Sequence, residues 1–188
     1  MQTFTHWQDV PEAFRGASVA MGNFDGIHLG HQSVIDLARG KGPLGIVTFE
    51  PHPRQVFAPE APPFRLMNAE ARAHRLAKLG VERLFQLPFD RTLSGMSAEA
   101  FARDVLAEGL GVRHVAVGGD CRVGKAREGD TATLIELGRR FGFEVTVAPL
   151  LHLEGVEISS TAIRKALAEG SASALVCPSV EETAPRAS

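Results

Sequence analysis

The chain has 188 residues, of which 44% are hydrophobic and 22% charged, and its formal net charge is -2. This length fits one domain with an ordinary core, and the small negative charge gives no support to a nucleic-acid partner. The first residues contain no basic region followed by an apolar run, and no apolar stretch approaches the ~20 residues of a membrane span. The two cysteines, Cys121 and Cys177, form no CxxC pair. These features predict a cytoplasmic protein that binds neither membranes nor nucleic acids.

Short apolar runs alternate with segments of helical periodicity along the chain. The runs that we predict to be strands are residues 17–21, 44–49, 83–87, 115–117 and 144–147. Between them, apolar residues recur every three or four positions, which predicts helices over residues 31–38, 69–79, 98–106 and 131–141. This order predicts an α/β fold with a parallel sheet and helices on both faces. Ligands of such sheets bind beyond the carboxyl ends of the strands, so the segments that follow strands are candidates for function.

The last part of the sequence lacks these patterns. Residues 171–188 are mostly small or polar, and we expect them to form a poorly ordered tail. Residues 1–170 are therefore predicted to form the single domain.

A glycine-containing turn and two histidines follow the first predicted strand. His28 and His31 are three residues apart at the start of a helix, so they share one face, and Gly30 leaves space beside them. Imidazoles next to the free N–H groups of a helix N-terminus suit the oxygens of a polyphosphate. Two other interpretations remain open, namely an ordinary surface HxxH and a metal site completed by Asp25 or His52.

A rigid segment and a glycine loop follow the second and fourth predicted strands. Two prolines stiffen residues 50–53, which form either a wall of the substrate site or an ordinary loop. Residues 119–125 match the spacing GxxxxGK of a P-loop, but Ala126 stands where a P-loop needs Ser or Thr. This loop either contributes to the site or only turns the chain. Cys121 within it is either a small replacement for an aromatic residue or a reactive thiol near Arg122.

Three hydroxyl residues, Ser159, Ser160 and Thr161, precede the last helical segment. They are suited to cap that helix. They are also suited, with Arg164 one turn further on, to bind phosphate oxygens.

Four of these segments resemble the FMN adenylyltransferase (FAD synthetase) module of the bacterial bifunctional riboflavin kinase/FAD synthetase family. The resemblance runs in order from about residue 15 to residue 170 and rests on residues 22–32, 48–53, 118–125 and 158–164. It implies a Rossmann-like HxGH nucleotidyltransferase fold. It also implies the reaction of ATP with FMN to give FAD and pyrophosphate, with Mg²⁺ held through the ATP phosphates.

The resemblance further implies roles for individual residues. It implies catalytic roles for His28, His31, Ser160 and Arg164. It implies ATP contacts for Gly22, Asn23, Phe24, Asp25, Gly30, Asp120, Ser159 and Thr161. On the flavin side it implies contacts from Pro51, His52, Phe57, Phe101 and Val123.

This sequence also departs from the family pattern. Cys121 and Val123 replace two aromatic residues of the third segment, and Arg72 stands where a lysine is common. We therefore expect Val123→Phe to tighten FMN binding. We expect no kinase domain after residue 170, and therefore no phosphorylation of riboflavin. Two alternatives remain: an adenylyltransferase of the same fold with another phosphorylated acceptor, and a non-catalytic protein that binds nucleotide or flavin.

Overall fold

The computed structural model describes residues 1–149, 152–153, 156–157 and 159–169. The predicted tail, residues 171–188, and Ile158 of the fourth segment lie outside the described residues.

A six-stranded parallel sheet forms the centre of the domain. In chain order the strands are β1 (Gln2–Phe4), β2 (Ser18–Met21), β3 (Leu44–Glu50), β4 (Arg83–Pro88), β5 (His114–Gly118) and β6 (Glu144–Ala148). Their order across the sheet is β1-β4-β3-β2-β5-β6, with Val19 of β2 paired with Gly45 on one side and Val115 on the other. Strands β3 and β4 therefore lie on one side of β2, and β5 and β6 lie on the other. The strand order reverses between β2 and β5, and sheets of this kind bind ligands at the carboxyl ends of the strands beside such a switch point.

The helices flank this sheet. They are α1 (Leu29–Ala38), α2 (Pro53–Phe57), α3 (Ala69–Lys78), α4 (Arg91–Ser94), α5 (Ala98–Ala100), α6 (Thr131–Phe141) and α7 (Ser160–Ala168). Helix α5 continues without a break into a π-helical segment, Phe101–Gly109. Short 3-10 turns occur at Glu12–Phe14 and Lys125–Arg127, and β7 (His152–Leu153) pairs antiparallel with β8 (Val156–Glu157).

Side chains that alternate along the strands fill a separate core on each face. Val19 packs with residues of the π-helical segment and α6, whereas Ala20, the next residue, packs with residues of α1 and α3. Because both faces are covered, the central strands are mostly apolar, and their few buried polar side chains include Ser18, Thr48 and His114. This arrangement confirms the predicted parallel sheet with helices on both faces.

The five predicted strands and four predicted helices are all present, with shifted ends. Strand β1 was not predicted, because its three residues are too few and too polar to show a strand pattern. Residues 50–53 do not form one rigid loop, since Pro53 already begins α2. The helix predicted over residues 98–106 is longer and partly π-helical, with Leu110 N–H donating to Val105 O.

Candidate functional site

The loop from β2 to α1 crosses the carboxyl edge of the sheet in a strained path. Phe24 and Ile27 adopt positive φ angles of 51° and 38°, and both side chains are buried. Gly26 has a φ of 92°, and a Cβ atom there would lie 2.7 Å from Leu66 Cδ1. Left-handed non-glycine residues are sparse and concentrate at functional loops. The glycine turn predicted from sequence is therefore present, with two further strained positions.

The first residues of this loop are anchored to the neighbouring strand. Gly22 N–H donates to Val47 O at 3.0 Å. Asn23 O accepts hydrogen bonds from Thr48 Oγ1 at 3.2 Å and from Arg72 Nη1 at 3.3 Å. The Asn23 carbonyl is thus held from within the protein.

His28 and His31 stack on one another at the start of α1. Their ring centroids are 3.7 Å apart and their planes are inclined by 24°. His28 is the N-cap residue, and its Nδ1 accepts the His31 N–H at 3.3 Å. Because Nδ1 accepts, the neutral His28 ring carries its proton on Nε2. The Phe24 ring contacts His31 at a centroid distance of 5.2 Å, and Gly30 lies between the two histidines in the first turn.

Burial keeps both imidazoles neutral. It lowers the pKa of His28 to about 4, against the opposing charge of Asp120 and with a further lowering by Arg164. Burial also lowers the pKa of His31 to about 3, with His28 and Arg164 adding to the shift. Among the described residues, Nδ1 of His31 is buried without a hydrogen-bond partner. A buried nitrogen without a hydrogen-bond partner costs about 1–3 kcal/mol, so this ring has an unused hydrogen-bonding group at the carboxyl edge of the sheet.

Asp25 joins three segments that are distant in sequence. Its side chain is 2% exposed, and Oδ1 accepts the backbone N–H groups of Leu66 at 2.9 Å and Met67 at 3.2 Å. Oδ2 accepts Arg164 Nη2 at 2.6 Å, and the Asp25 carbonyl accepts Ser160 Oγ at 2.7 Å. The fourth sequence segment is therefore fastened to the first through a single residue.

The three hydroxyl residues at the start of α7 have different surroundings. Ser159 is the N-cap, and its Oγ accepts the Ala162 N–H at 3.2 Å, as predicted. Ser160 is bonded to the Asp25 carbonyl, and Thr161 is exposed.

The ring of Phe64 lies among three polar side chains. Arg54 Cζ is 4.6 Å and Arg164 Cζ 5.2 Å from its centroid, and His52 meets it edge-on at 5.0 Å. The Phe64 carbonyl accepts Arg164 Nε at 2.8 Å. His52 is 7% exposed and caps α2 by accepting the Arg54 N–H, while Pro51 before it is exposed. Burial lowers the pKa of His52 to about 4, although the Asp25 carboxylate opposes the shift.

A partly buried ion network around Glu50 was not foreseen from the sequence. Glu50 accepts both Nη groups of Arg65, at 2.6 and 3.1 Å, and Nη2 of Arg72 at 3.0 Å. Burial opposes ionisation of Glu50, but the hydrogen bond and charge of Arg65 and the charge of Arg72 together lower its pKa. Arg72 is 1% exposed and lies one turn from buried Leu76 in α3. A charged residue on the apolar face of an amphipathic helix was the sequence signal for this network.

The loop after β5 carries an exposed carboxylate and a half-buried thiol. Asp120 is exposed, and its charge acts on His28. Burial raises the pKa of Cys121 to about 11, with Asp120 adding to the shift. The thiol is therefore protonated at neutral pH, which removes the basis for a reactive cysteine. After Lys125 the chain forms a 3-10 turn and α6 begins only at Thr131, so the helix that a P-loop requires is not there.

Val123 and Phe101, two of the five residues predicted on the flavin side, lie inside the protein. Val123 is 6% exposed and exchanges two 2.9 Å backbone hydrogen bonds with Gly129. Phe101 is 5% exposed and belongs to the same core. The structure does not bring either side chain to the surface, and their contact with a flavin stays a prediction.

Phe57, by contrast, is 70% exposed and ends a row of four aromatic rings. The row runs from Phe57 to Phe89 at 5.6 Å, on to Phe49 at 5.8 Å, and on to Phe101 at 6.4 Å. An exposed ring backed by other rings offers a flat apolar surface.

Two kinds of site are not found in the part of the chain that the structure describes. No group of three or more His, Cys, Asp or Glu side chains is placed to hold a metal ion. Over the same residues, no helix is both long and apolar enough to cross a membrane.

Two solved structures show the class of fold. A Streptococcus pneumoniae protein named as a macrolide-efflux protein is 26% identical, with a TM-score of 0.76, and the match covers 92% of this chain and 60% of that one. A pantoate–β-alanine ligase from Francisella tularensis, complexed with an ATP analogue and β-alanine, is 15% identical with a TM-score of 0.54, and covers 86% of this chain and 72% of that one. The switch point of the sheet and these likenesses define a Rossmann-like α/β fold.

Sequence comparison then gives the family. The family model described as FAD synthetase matches residues 10–162, and the chain belongs to this family. The bifunctional riboflavin kinase/FMN adenylyltransferase of Escherichia coli (strain K12) is 37% identical over 159 residues, covering 82% of this chain and 51% of the relative. The protein of that name from Pseudomonas fluorescens is 40% identical with the same coverage. This chain therefore spans about half the length of the curated relatives it matches.

Proposed function

We propose that this chain transfers the AMP group of ATP to FMN, giving FAD and pyrophosphate. One observation carries the proposal: in a member of the FAD synthetase family, the stacked pair His28 and His31 lies within electrostatic range of the Arg164 guanidinium, which Asp25 holds by an ion pair. The substrates are those that the curated relatives' names give for one of their two activities.

The reaction is a displacement at the α-phosphorus of ATP. An oxygen of the FMN phosphate forms a bond to that phosphorus, and the bond from the phosphorus to the bridging oxygen of the β-phosphate breaks. Pyrophosphate leaves with the electron pair. The attacking phosphate is largely ionised at neutral pH, so the protein supplies no base and no covalent nucleophile. Its contribution is positioning and charge stabilisation.

The neutral histidines are suited to this contribution. Nε2–H of His28 is free of the capping bond that uses Nδ1, and His31 Nδ1 has no hydrogen-bond partner among the described residues. Both donate hydrogen bonds to phosphate oxygens as negative charge moves toward the leaving pyrophosphate. They do so at the N-terminus of the ten-residue helix α1, whose dipole favours the same charge.

Mg²⁺ enters this proposal with the nucleotide. The donor set around the histidines fits an ion held through phosphates better than a protein cage, because the described residues supply no cluster of three ligands. Mg²⁺ commonly keeps several waters and binds through substrate phosphates, where it offsets their charge. Asp120, exposed and close enough to influence His28, is the carboxylate we assign to its surroundings.

On the acceptor side, we assign the flat contact with the isoalloxazine ring to Phe57, with Pro51 and His52 forming the adjoining wall. Phe101 and Val123 then support the site from within the core. This arrangement leaves fewer exposed aromatic residues than the sequence predicted. It therefore also favours a second candidate, an adenylyltransferase of the same fold with another phosphorylated acceptor.

A turnover assay separates these possibilities. The protein is incubated with ATP, Mg²⁺ and FMN, and FAD and pyrophosphate are quantified, with riboflavin as the control acceptor that lacks the attacking phosphate. We expect FAD from FMN and no adenylylated product from riboflavin. Pyrophosphate release that needs a different phosphorylated acceptor would favour the second candidate. Nucleotide binding without any turnover would identify a non-catalytic binding protein.

Substitution of Phe57 tests the acceptor assignment. Ring stacking contributes roughly 0.5–1.5 kcal/mol beyond burial, so Phe57→Ala should raise the KM for FMN about 2- to 13-fold. The KM for ATP should not change. An unchanged KM for FMN would place the flavin elsewhere.

Val123→Phe has a different expected outcome once the structure is considered. Val123 is 6% exposed and its side chain is packed in the core, so a phenyl ring there would have to displace its neighbours. Overpacking of this kind typically costs about 1–3 kcal/mol. We therefore expect a less stable protein rather than tighter FMN binding.

A further inference from the structure

Asp25, predicted from sequence to contact ATP, is not available to do so. Its side chain is 2% exposed, and both carboxylate oxygens already accept hydrogen bonds from Leu66, Met67 and Arg164. The negative charge of Asp25 would repel a phosphate. An acidic residue beside a phosphate site therefore needs a role other than contact with the ligand.

We infer that Asp25 is a positioning residue, which orients Arg164 and Ser160 for the phosphates without touching them. This inference rests on the proposed AMP transfer and deepens it. The two residues it positions belong to α7, more than 130 positions later in the chain, since the bonds to Asp25 span 135 and 139 residues.

The hydrogen bonds of Arg164 fix the plane of its guanidinium. The group has five N–H donors. Nε–H donates to Phe64 O at 2.8 Å, and one Nη2–H donates to Asp25 Oδ2 at 2.6 Å. Nε and Nη2 form one edge of the fork, so the described residues occupy that edge. The other edge, with Nη1 and the second Nη2 hydrogen, is the geometry that binds two phosphate oxygens at once.

The Phe64 ring strengthens this orientation. Arg164 Cζ lies 5.2 Å from the ring centroid, within the range of a cation–π contact. A guanidinium held by a carboxylate, a carbonyl and a ring has little freedom left, and little entropy is lost when a phosphate binds.

Ser160 is held in a related way. A hydroxyl has one donor hydrogen, and that of Ser160 is directed to the Asp25 carbonyl at 2.7 Å. The bond fastens the first turn of α7 to the β2–α1 loop. Ser160 thus acts through the position of the helix rather than by donating its own hydrogen to a phosphate.

A double-mutant cycle tests the inference. Asp25→Asn keeps the shape of the side chain but removes its charge. We expect it to lower kcat about 10- to 10²-fold in the wild-type background, because small misplacements of a positioned group have effects of this size. In an Arg164→Gln background, Asp25→Asn should change kcat less than twofold, because Asp25 acts through Arg164. Losses that multiply in the double variant would overturn the inference.

A matched control separates positioning from general stability. Asp130 also caps a helix, accepting the Thr133 N–H at 2.9 Å, and Asp130→Asn should show no coupling to Arg164→Gln. Should Asp25→Asn fail to fold, Ser160→Ala removes only the bond to the Asp25 carbonyl. It should lower kcat in the wild-type background and again less than twofold in the Arg164→Gln background. Multiplying losses there would equally contradict the inference.

Binding of inorganic pyrophosphate, measured by calorimetry, keeps this test independent of the acceptor. Asp25→Asn should weaken pyrophosphate binding when Arg164 is present and leave it unchanged in Arg164→Gln. Equal weakening in both backgrounds would overturn the positioning role. A wild-type protein that makes no FAD but shows the coupled pattern would overturn the proposed function and retain the role of Asp25.

Discussion

Two histidines at opposite ends of the strands, one buried and one half-buried, show how the surroundings of a side chain separate structure from function. His114 begins β5 and is 1% exposed, and its two ring nitrogens are hydrogen-bonded to Ser18 Oγ and Thr146 Oγ1, each at 2.8 Å. His31 lies at the carboxyl edge, and its buried Nδ1 has no partner among the described residues. A polar group satisfied by its own fold stabilises that fold, whereas an unsatisfied one at a strained loop is suited to bind a ligand.

The pKa shifts of these two histidines do not make this distinction. Burial lowers the pKa of His114, with Lys41 adding to the shift, and burial likewise lowers that of His31. The direction of the pKa shift therefore shows only that each imidazole is removed from water. The hydrogen-bond partners are what distinguish His114 from His31.

The largest expected effect is on the AMP-transfer rate. His28→Ala and His31→Ala should each lower kcat by ~10²-fold or more, which corresponds to about 2.7 kcal/mol of transition-state stabilisation. His31→Ala should change the melting temperature little, whereas His28→Ala also removes the N-cap of α1, at an expected cost of about 0.5–2 kcal/mol. Single-turnover assays with ATP and FMN measure the effect. Wild-type rates in both variants would show that the stacked pair has no role in transfer.

Substitution of His114 should have the opposite effect: it should lower stability and leave turnover unchanged. His114→Ala leaves Ser18 and Thr146 without their buried partner, at an expected cost of about 1–3 kcal/mol. For a chain of this size the melting temperature should fall by roughly 2–12 °C. The kcat of the remaining folded protein should equal that of the wild type. A large loss of kcat without a loss of stability would remove the contrast between the two edges.

The pH dependence of stability shows a smaller effect. Folded-state pKa values of about 4 for His28 and His52 and about 3 for His31 lie below the 6.5 of a free histidine. The unfolded chain therefore takes up protons below pH 6.5 that the folded chain does not, so stability is full above pH 6.5 and declines as the pH falls toward 4.

Burial also lowers the pKa of His114, so this histidine contributes to the same pH dependence, and His114→Gln removes its contribution. Urea unfolding at pH 7, 6 and 5 should therefore show a slope that is smaller by up to ~1.4 kcal/mol per pH unit. A slope equal to that of the wild type would mean that His114 is protonated in the folded protein as readily as in the unfolded one.

The smallest effect is expected from Ser18→Ala. It removes one of the two hydrogen bonds of His114, and a single buried hydrogen bond contributes about 0.5–1.5 kcal/mol. Chemical denaturation should detect this loss, and His114→Ala combined with Ser18→Ala should destabilise less than the sum of the two single variants. Additive losses would indicate that the two side chains do not share a bond that matters for stability.

The fold was predictable because its signals are local. Apolar strands, helical periodicity and the turn at Gly26 each depend on a few neighbouring residues. The stacking of His28 and His31 also follows from their spacing of three on one helix. These are the elements for which sequence and structure agree.

The site was less predictable where it depends on distant contacts. No local pattern shows that Asp25 bonds to Arg164, or that Arg72 reaches Glu50, since each pair is brought together only by the packing of separate segments. The same reason applies to Val123, whose burial follows from its pairing with Gly129 and not from its own motif.

The bonds between Asp25 and α7 also have a consequence for the synthesis of the protein. Arg164 follows Asp25 by 139 residues, which a ribosome adds in roughly 7–28 s at ~5–20 residues per second. All six strands of the sheet precede α7 in the chain, so the β-sheet can assemble on the ribosome before its last helix is made. During this interval the Asp25 carboxylate lacks its guanidinium partner. The nascent protein therefore acquires the strands of its sheet first and the ion pair between Asp25 and Arg164 later.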